Sequence, residues 1–281
     1  MLITQRLAET KGSVGMPWKI ERKHDHVAVV TMNTNKVNAQ NPAFFADLHA
    51  AFDRLETEFD DCAVVLTGGS GKVFSAGLDL DHHFAMFARR SLREIDDWFA
   101  AYRATNLRLF TYSRPTVAAI NGHAYAGGFI TAINCDYRIA MEGPLQFSLN
   151  EVPIGIPMPA VYCEIIKYAI GTQAASEFTL FGQVYDLTAA SRMGVVQKTV
   201  PPEQLLDAAV AWAAHVTPDC YPAYSFSKRA LQATTMAAID AAARLDLDQL
   251  SRGMSDPKSL RANARRYREL KGKEITWPLP A

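Results

Sequence analysis

The chain has 281 residues, 49% of them apolar, enough to bury one large core. Its 29 Lys and Arg balance 29 Asp and Glu, so no global field draws nucleic acid or an anionic membrane, and an anionic ligand must be held by local features. No apolar run reaches the ~18 residues of a membrane span, and residues 1–16 mix Arg6, Glu9 and Lys11 without an apolar stretch, so the expectation is a cytoplasmic protein with no secretory leader.

In chain order, the β-branched run Val27-Ala-Val-Val-Thr-Met32 predicts a strand, closed by the turn residues Asn33-Thr-Asn35. Phe44, Phe45, Leu48, Phe52, Leu55 and Phe59 recur in steps of three and four, which predicts an amphipathic helix with Pro42 near its start. Ala63-Val-Val-Leu-Thr67 predicts a buried strand that ends at Gly68-Gly-Ser-Gly71. Strand, helix, strand at this spacing points to α/β construction with a right-handed crossover.

Residues 81–112, rich in Phe, Leu and Trp, predict helix; Thr116-Val-Ala-Ala-Ile120 and Tyr137-Arg-Ile-Ala140 predict strands. Beyond Pro159 the pattern is helical, over roughly 160–170, 173–181, 203–216, 237–252 and 257–271. The expected organisation is an extension over 1–17, an α/β core over 18–200 and a helical region over 201–281. Cysteines 62, 135, 163 and 220 form no CxxC pair and read as small hydrophobes in a reducing compartment.

Two small-residue turns separate a strand from a helix: Phe74-Ser-Ala-Gly-Leu-Asp-Leu80 and Asn121-Gly-His-Ala-Tyr-Ala-Gly-Gly128. Small residues there let backbone N–H groups approach a ligand. Brought together, two such turns could offer two donors to one oxygen, although either alone reads as an ordinary turn. Glu151 is the one acid in the apolar loop Leu149-Asn-Glu-Val-Pro-Ile154. Burial there would raise its pKa toward the range of a general base, while a surface acid or structural ion pair is the plainer alternative.

Gly69-Ser-Gly-Lys72 lacks the spacing of a phosphate loop, and the adjacent His82 and His83 diverge on a helix and cannot chelate one metal. His123 reads as hydrogen-bonded scaffold. The basic stretch 261–273 sets Leu260, Ala264 and Tyr267 along one face of a solvated helix.

Together the two turns and Glu151, with Cys135-Asp136-Tyr137-Arg138 downstream, resemble the crotonase (enoyl-CoA hydratase/isomerase) superfamily over roughly residues 18–216. The resemblance implies a spiral core of strand–strand–helix turns with a helical C-terminal region that assembles trimers or dimers of trimers. It implies an acyl-CoA substrate, no metal, and no resident cofactor, since coenzyme A enters as part of the thioester. By position it makes the backbone N–H groups of Leu78 and Gly127 the donors to the thioester oxygen and Glu151 the acid–base group. It lays coenzyme A along Lys36 to Ala39 and Ala76 to Leu80, including Asp79, with Gly128 beside the second donor. Phe84, Phe87 and Trp98 would border the acyl tail.

One departure narrows the chemistry. Hydratases of this family carry two glutamates, and Ile130 stands where the first would be. Water addition normally shares its proton transfers between two carboxylates, whereas moving a double bond needs one. The single acid therefore resembles the Δ3,Δ2-enoyl-CoA isomerase branch. A hydratase that uses Asp79, Asp81 or the His82–His83 pair, and a non-catalytic CoA-binding protein, are the alternatives. The balanced charge gives no support to an RNA-binding role.

Overall fold

The computed structural model describes residues 18–69 and 72–279; the expected extension over 1–17 and the last two residues of the Gly68–Gly71 turn lie outside the described residues. Strands β1 (Lys19–His24) and β2 (Val27–Met32) form an antiparallel pair at one edge of a six-stranded sheet. The order continues through β3 (Ala63–Gly68), β5 (Thr116–Ile120), β7 (Tyr137–Met141) and β10 (Lys198–Val200), all parallel to β2. Helix α1 (Pro42–Thr57) makes the crossover from β2 to β3; Asn41 caps it by accepting from the Phe44 N–H, and Pro42 occupies its first turn.

Alternation along the strands divides the core between the two faces of this sheet. Ala28, Val30, Val64, Leu66 and Ala118 join the larger core. Val27, Val29, Val65, Val117 and Ala119 face the other way, where Leu205, Ala209 and Ala213 of helix α7 (Leu205–Ala213) cover them. The helical region expected over 201–281 begins with this helix, packed on the main sheet.

A second sheet carries the functional turns. Its strands β4 (Val73–Ser75), β6 (His123–Tyr125) and β8 (Gln146–Ser148) run parallel, and β9 (Tyr185–Asp186) closes it antiparallel. Each short parallel strand follows a strand of the main sheet, β3 to β4, β5 to β6 and β7 to β8, and each is followed by a helix. The chain therefore winds through repeated strand–strand–helix turns, as the family resemblance implies.

The stretch expected as helical over 81–112 holds two helices, α2 (Leu80–Ala88) and α3 (Leu92–Phe110). Arg90 has a φ of 55°, which no helix continues through, and the Ser91 hydroxyl accepts from the Glu94 N–H to start the second helix. Ser91-Leu-Arg-Glu94 carries the spacing of a capping box, a signal for the break present in the sequence. The short α4 (Gly127–Ile133) follows β6. Helix α5 (Ala160–Phe181) contains the expected interruption at Gly171, whose φ of 79° and ψ of 160° are non-helical.

After α6 (Leu187–Arg192) and α7, helix α8 (Tyr221–Met254) runs 34 residues, far beyond the 237–252 predicted. Its first half buries polar side chains: Lys228 pairs with Asp136 at 2.7 Å and Gln232 donates to the Phe110 carbonyl at 2.8 Å, while Phe226 and Leu231 are exposed. That half of the helix carries no continuous apolar stripe. Helix α9 (Pro257–Lys271) matches its prediction, with Leu260, Ala264 and Tyr267 buried. No described helix is long and apolar enough to cross a membrane.

Candidate active site

The segments singled out in the sequence leave the same end of the second sheet. Because β4, β6 and β8 are parallel neighbours, the chain emerges side by side at residues 76–79, 126–128 and 149–151. The first two are pressed together. A Cβ added to Gly77 would lie 2.8 Å from the Gly127 nitrogen and 2.7 Å from the Tyr125 carbonyl oxygen, and one added to Gly128 would lie 2.2 Å from the Ser75 carbonyl oxygen. Glycine at 77, with its φ of 77°, is what permits this approach.

Residues 37–40 run alongside 76–79. The Ala76 N–H donates to the Val37 carbonyl at 3.0 Å, the Gln40 N–H to Gly77 at 2.7 Å, and the Asp79 N–H to Gln40 at 3.0 Å. In this parallel bridge the N–H of Leu78 faces away from Gln40, since successive residues of an extended chain alternate. Gly127 opens α4, where first-turn amides have no partner within the helix. Ala126 before it holds a φ of 49°, a strained conformation fixed by its N–H bond to the Ser148 carbonyl at 2.8 Å.

Glu151 follows β8 at the start of a 3₁₀ turn over Val152–Ile154, and its carbonyl accepts from the Ile154 and Ile156 N–H groups. The residue is only 6% exposed. Burial pushes the carboxyl up to about 7, and its Oε2 atom has no hydrogen-bond partner among the described residues. The acid therefore changes its protonation state near neutrality.

Gln40 and Tyr102, which belong to no sequence motif, join this site. Gln40, 1% exposed, sends its Nε2 to the Gly127 carbonyl at 3.0 Å and the Thr131 Oγ1 at 2.9 Å. The Tyr102 hydroxyl donates to the Gln40 Oε1 at 3.3 Å. Burial, and the charge of Glu151 beside it, raise the Tyr102 phenol well above its ordinary value. A Cβ on Gly127 would strike both side chains, at 2.2 Å from Gln40 Oε1 and 2.7 Å from the Tyr102 hydroxyl. In the sequence Gln40 is a polar residue between Ala39 and the helix cap Asn41, and Tyr102 is one aromatic among several on a helix.

The remaining candidates occupy defined places. Asp79 caps α2, its Oδ1 accepting from the Asp81 N–H at 3.1 Å and the His82 N–H at 3.4 Å. Asp81 is held by the Tyr267 hydroxyl at 2.6 Å and Lys271 at 2.9 Å, which tie α9 to α2 and hold its carboxyl below the usual range. Asn263 of α9 also donates to the Ile154 carbonyl, so this helix roofs the turn that carries Glu151.

His82 is exposed and His83 fully buried; burial pushes His83 down to about 3, and its Nδ1 contacts the Asp79 carbonyl at 2.9 Å. No group of His, Cys, Asp and Glu among the described residues could hold a metal ion. The His123 Nδ1 accepts from the Gln146 N–H at 3.1 Å, and Asp136 and Arg138 bond to the Thr116 N–H and to the Val195 and Cys135 carbonyls, all scaffold contacts. Phe84 and Phe87 are buried, and Trp98 lies 5.5 Å from Phe87 and stacks on Tyr102 at 5.4 Å, forming an aromatic row from Phe87 to Tyr102. Ile130 is buried in the core. Lys36 is exposed and Ala39, Ala76 and Leu80 half-buried along the paired segments.

Comparison with known proteins places this geometry in context. The family profile described as enoyl-CoA hydratase/isomerase matches residues 22–273. The human mitochondrial enoyl-CoA delta isomerase 1 is 32% identical over 186 residues, covering 66% of this chain and 60% of that protein. A short-chain-enoyl-CoA hydratase of Clostridium acetobutylicum is 29% identical over 226 residues, covering 79% of this chain and 84% of its own length. Among solved structures, human mitochondrial Δ3,Δ2-enoyl-CoA isomerase superposes with a TM-score of 0.81 at 27% identity, covering 91% of this chain and 98% of that one.

Proposed function

The chain belongs to the enoyl-CoA hydratase/isomerase family, and from that premise we propose that it moves the double bond of a 3-enoyl-CoA thioester to the 2-position. The Glu151 carboxylate removes a proton from C2, and the C3–C4 double bond and the thioester carbonyl delocalise the resulting charge as a dienolate. The N–H groups of Leu78 and Gly127 hold the oxygen that carries it. Glu151, now protonated, returns the proton to C4, which leaves the double bond between C2 and C3. Atoms and charge balance without water or a second acid.

The observation that carries this reading is a single buried carboxyl, raised to about 7, beside two closely packed glycine turns. A base poised near neutral pH serves both halves of the shuttle. Each main-chain donor would contribute ~3 kcal/mol to the barrier reduction, acting without reorganisation. Ile130, apolar at the position of the hydratases' first glutamate, favours isomerisation over hydration. Coenzyme A would enter as part of the substrate along residues 36–39 and 76–80, whose pairing forms one continuous edge. Assembly as a trimer would cover the exposed Leu180, Phe181 and Val184 at the end of α5.

The deciding experiment offers purified protein a 3-enoyl-CoA and crotonyl-CoA separately. The proposal expects rapid gain of conjugated-thioester absorbance from the first and slow loss from the second. Fast hydration of crotonyl-CoA, with no double-bond migration, would replace isomerase with hydratase. Tight binding of both with no turnover would leave a CoA-binding protein.

A further inference from the structure

We propose that Gln40 is a positioning residue that clamps the two amide donors at a fixed separation, an inference that rests on the isomerase reading above. Its main chain straddles Leu78: the N–H bonds to the carbonyl before that residue, at 2.7 Å, and the carbonyl accepts from the amide after it, at 3.0 Å. Its side chain crosses to the other turn, where Nε2 reaches the Gly127 carbonyl at 3.0 Å and the Thr131 Oγ1 at 2.9 Å. One residue thus bonds both donor-bearing segments.

The orientation of the amide is fixed by chemistry. A backbone carbonyl only accepts, so the NH₂ group must face Gly127, and Oε1 must face Tyr102. Thr131 accepts from Gln40 and donates to the same Gly127 carbonyl at 2.9 Å, which closes a triangle of bonds around residue 127. The Tyr102 hydroxyl in turn spends its proton on Gln40 Oε1. The whole cluster is buried, with Gln40 at 1%, Thr131 at 2% and Tyr102 at 5% exposure, so water does not compete for these bonds.

Donors act on an enolate only when aimed at the oxygen it develops, and small misplacements are costly. Gly127 has no side chain to hold it against a neighbour, and the N–H bond that fixes Ala126 before it runs to Ser148 of β8, not to the segment that carries Leu78. The Gln40 amide supplies that link, and its pairing with residues 77 and 79 transmits it to Leu78.

The test replaces Gln40 with methionine, which keeps length and apolar packing and removes the three side-chain bonds. Acetoacetyl-CoA serves as the probe, because its enolate absorbs in the near ultraviolet where the keto form does not. In the wild-type protein the bound probe is expected to show the enolate band. Gln40→Met should bind it within about threefold of wild type yet lose most of the band, with kcat for a 3-enoyl-CoA lowered roughly 100-fold and KM little changed. Thr131→Val, which removes one of the two acceptors, should fall between the two and keeps the test open if Gln40→Met fails to fold. A folded Gln40→Met or Thr131→Val protein with an undiminished band and kcat would overturn the clamp while leaving the isomerase reading intact. No enolate band in the wild-type protein would instead overturn the isomerase reading, and the clamp with it.

Discussion

Glu151→Gln removes the ionisable proton while keeping the shape of the side chain, so its consequences can be worked out in advance. In the unfolded chain this carboxyl titrates near 4.5; in the folded protein burial holds its proton up to about 7. Between those values the folded state binds more protons than the unfolded state, so stability from this group is fully present below pH 4.5 and is lost as pH rises through 7. At about 1.4 kcal/mol per pH unit, the wild-type protein should give up roughly 3 kcal/mol across that window. The Gln variant has no such loss. Urea unfolding of both proteins from pH 4 to pH 8.5 should therefore show the variant gaining on the wild type, with the change complete a little above pH 7. The same ionisation should appear in turnover: wild-type kcat/KM rises tenfold per pH unit to a plateau above about 7, and the variant lies ~10²–10⁴-fold below that plateau without the rise. A stability difference that stays flat with pH, or a variant that turns over at the wild-type rate, would refute the assignment of a buried, proton-shuttling acid.

Three further outcomes follow from the packing. Gly128→Ala places a Cβ 2.2 Å from the Ser75 carbonyl oxygen, so backbone must move; a loss of about 1–3 kcal/mol in urea unfolding, with reduced kcat, is expected. Lys228→Met breaks the largely buried pair with Asp136 and should cost about 3 kcal/mol of stability in the same assay, with turnover per folded molecule unchanged. Burial pushes the thiols of Cys62 and Cys135 up to about 11 and about 12, so mass spectrometry after iodoacetamide at pH 8 should find the exposed Cys220 labelled in the native protein and those two only after unfolding.

The sequence by itself determined the strands with uniform apolar or β-branched runs and the helices with a clear stripe, because both periods are written locally. Val27–Met32, Thr116–Ile120 and Pro257–Lys271 fall where the pattern puts them. It also determined the family, since the two glycine turns and the acid are short and ordered along the chain. It could not delimit α8, whose first half buries Lys228 and Gln232, polar residues whose burial depends on partners more than ninety residues away in the chain. Nor could it find Gln40 and Tyr102, separated by 62 residues and joined only when β4, β6 and the helices around them pack. Tertiary structure alone decided the proton affinity of Glu151. A carboxyl in the chain titrates like any other until folding takes water away from it, and no local pattern records how completely that happens.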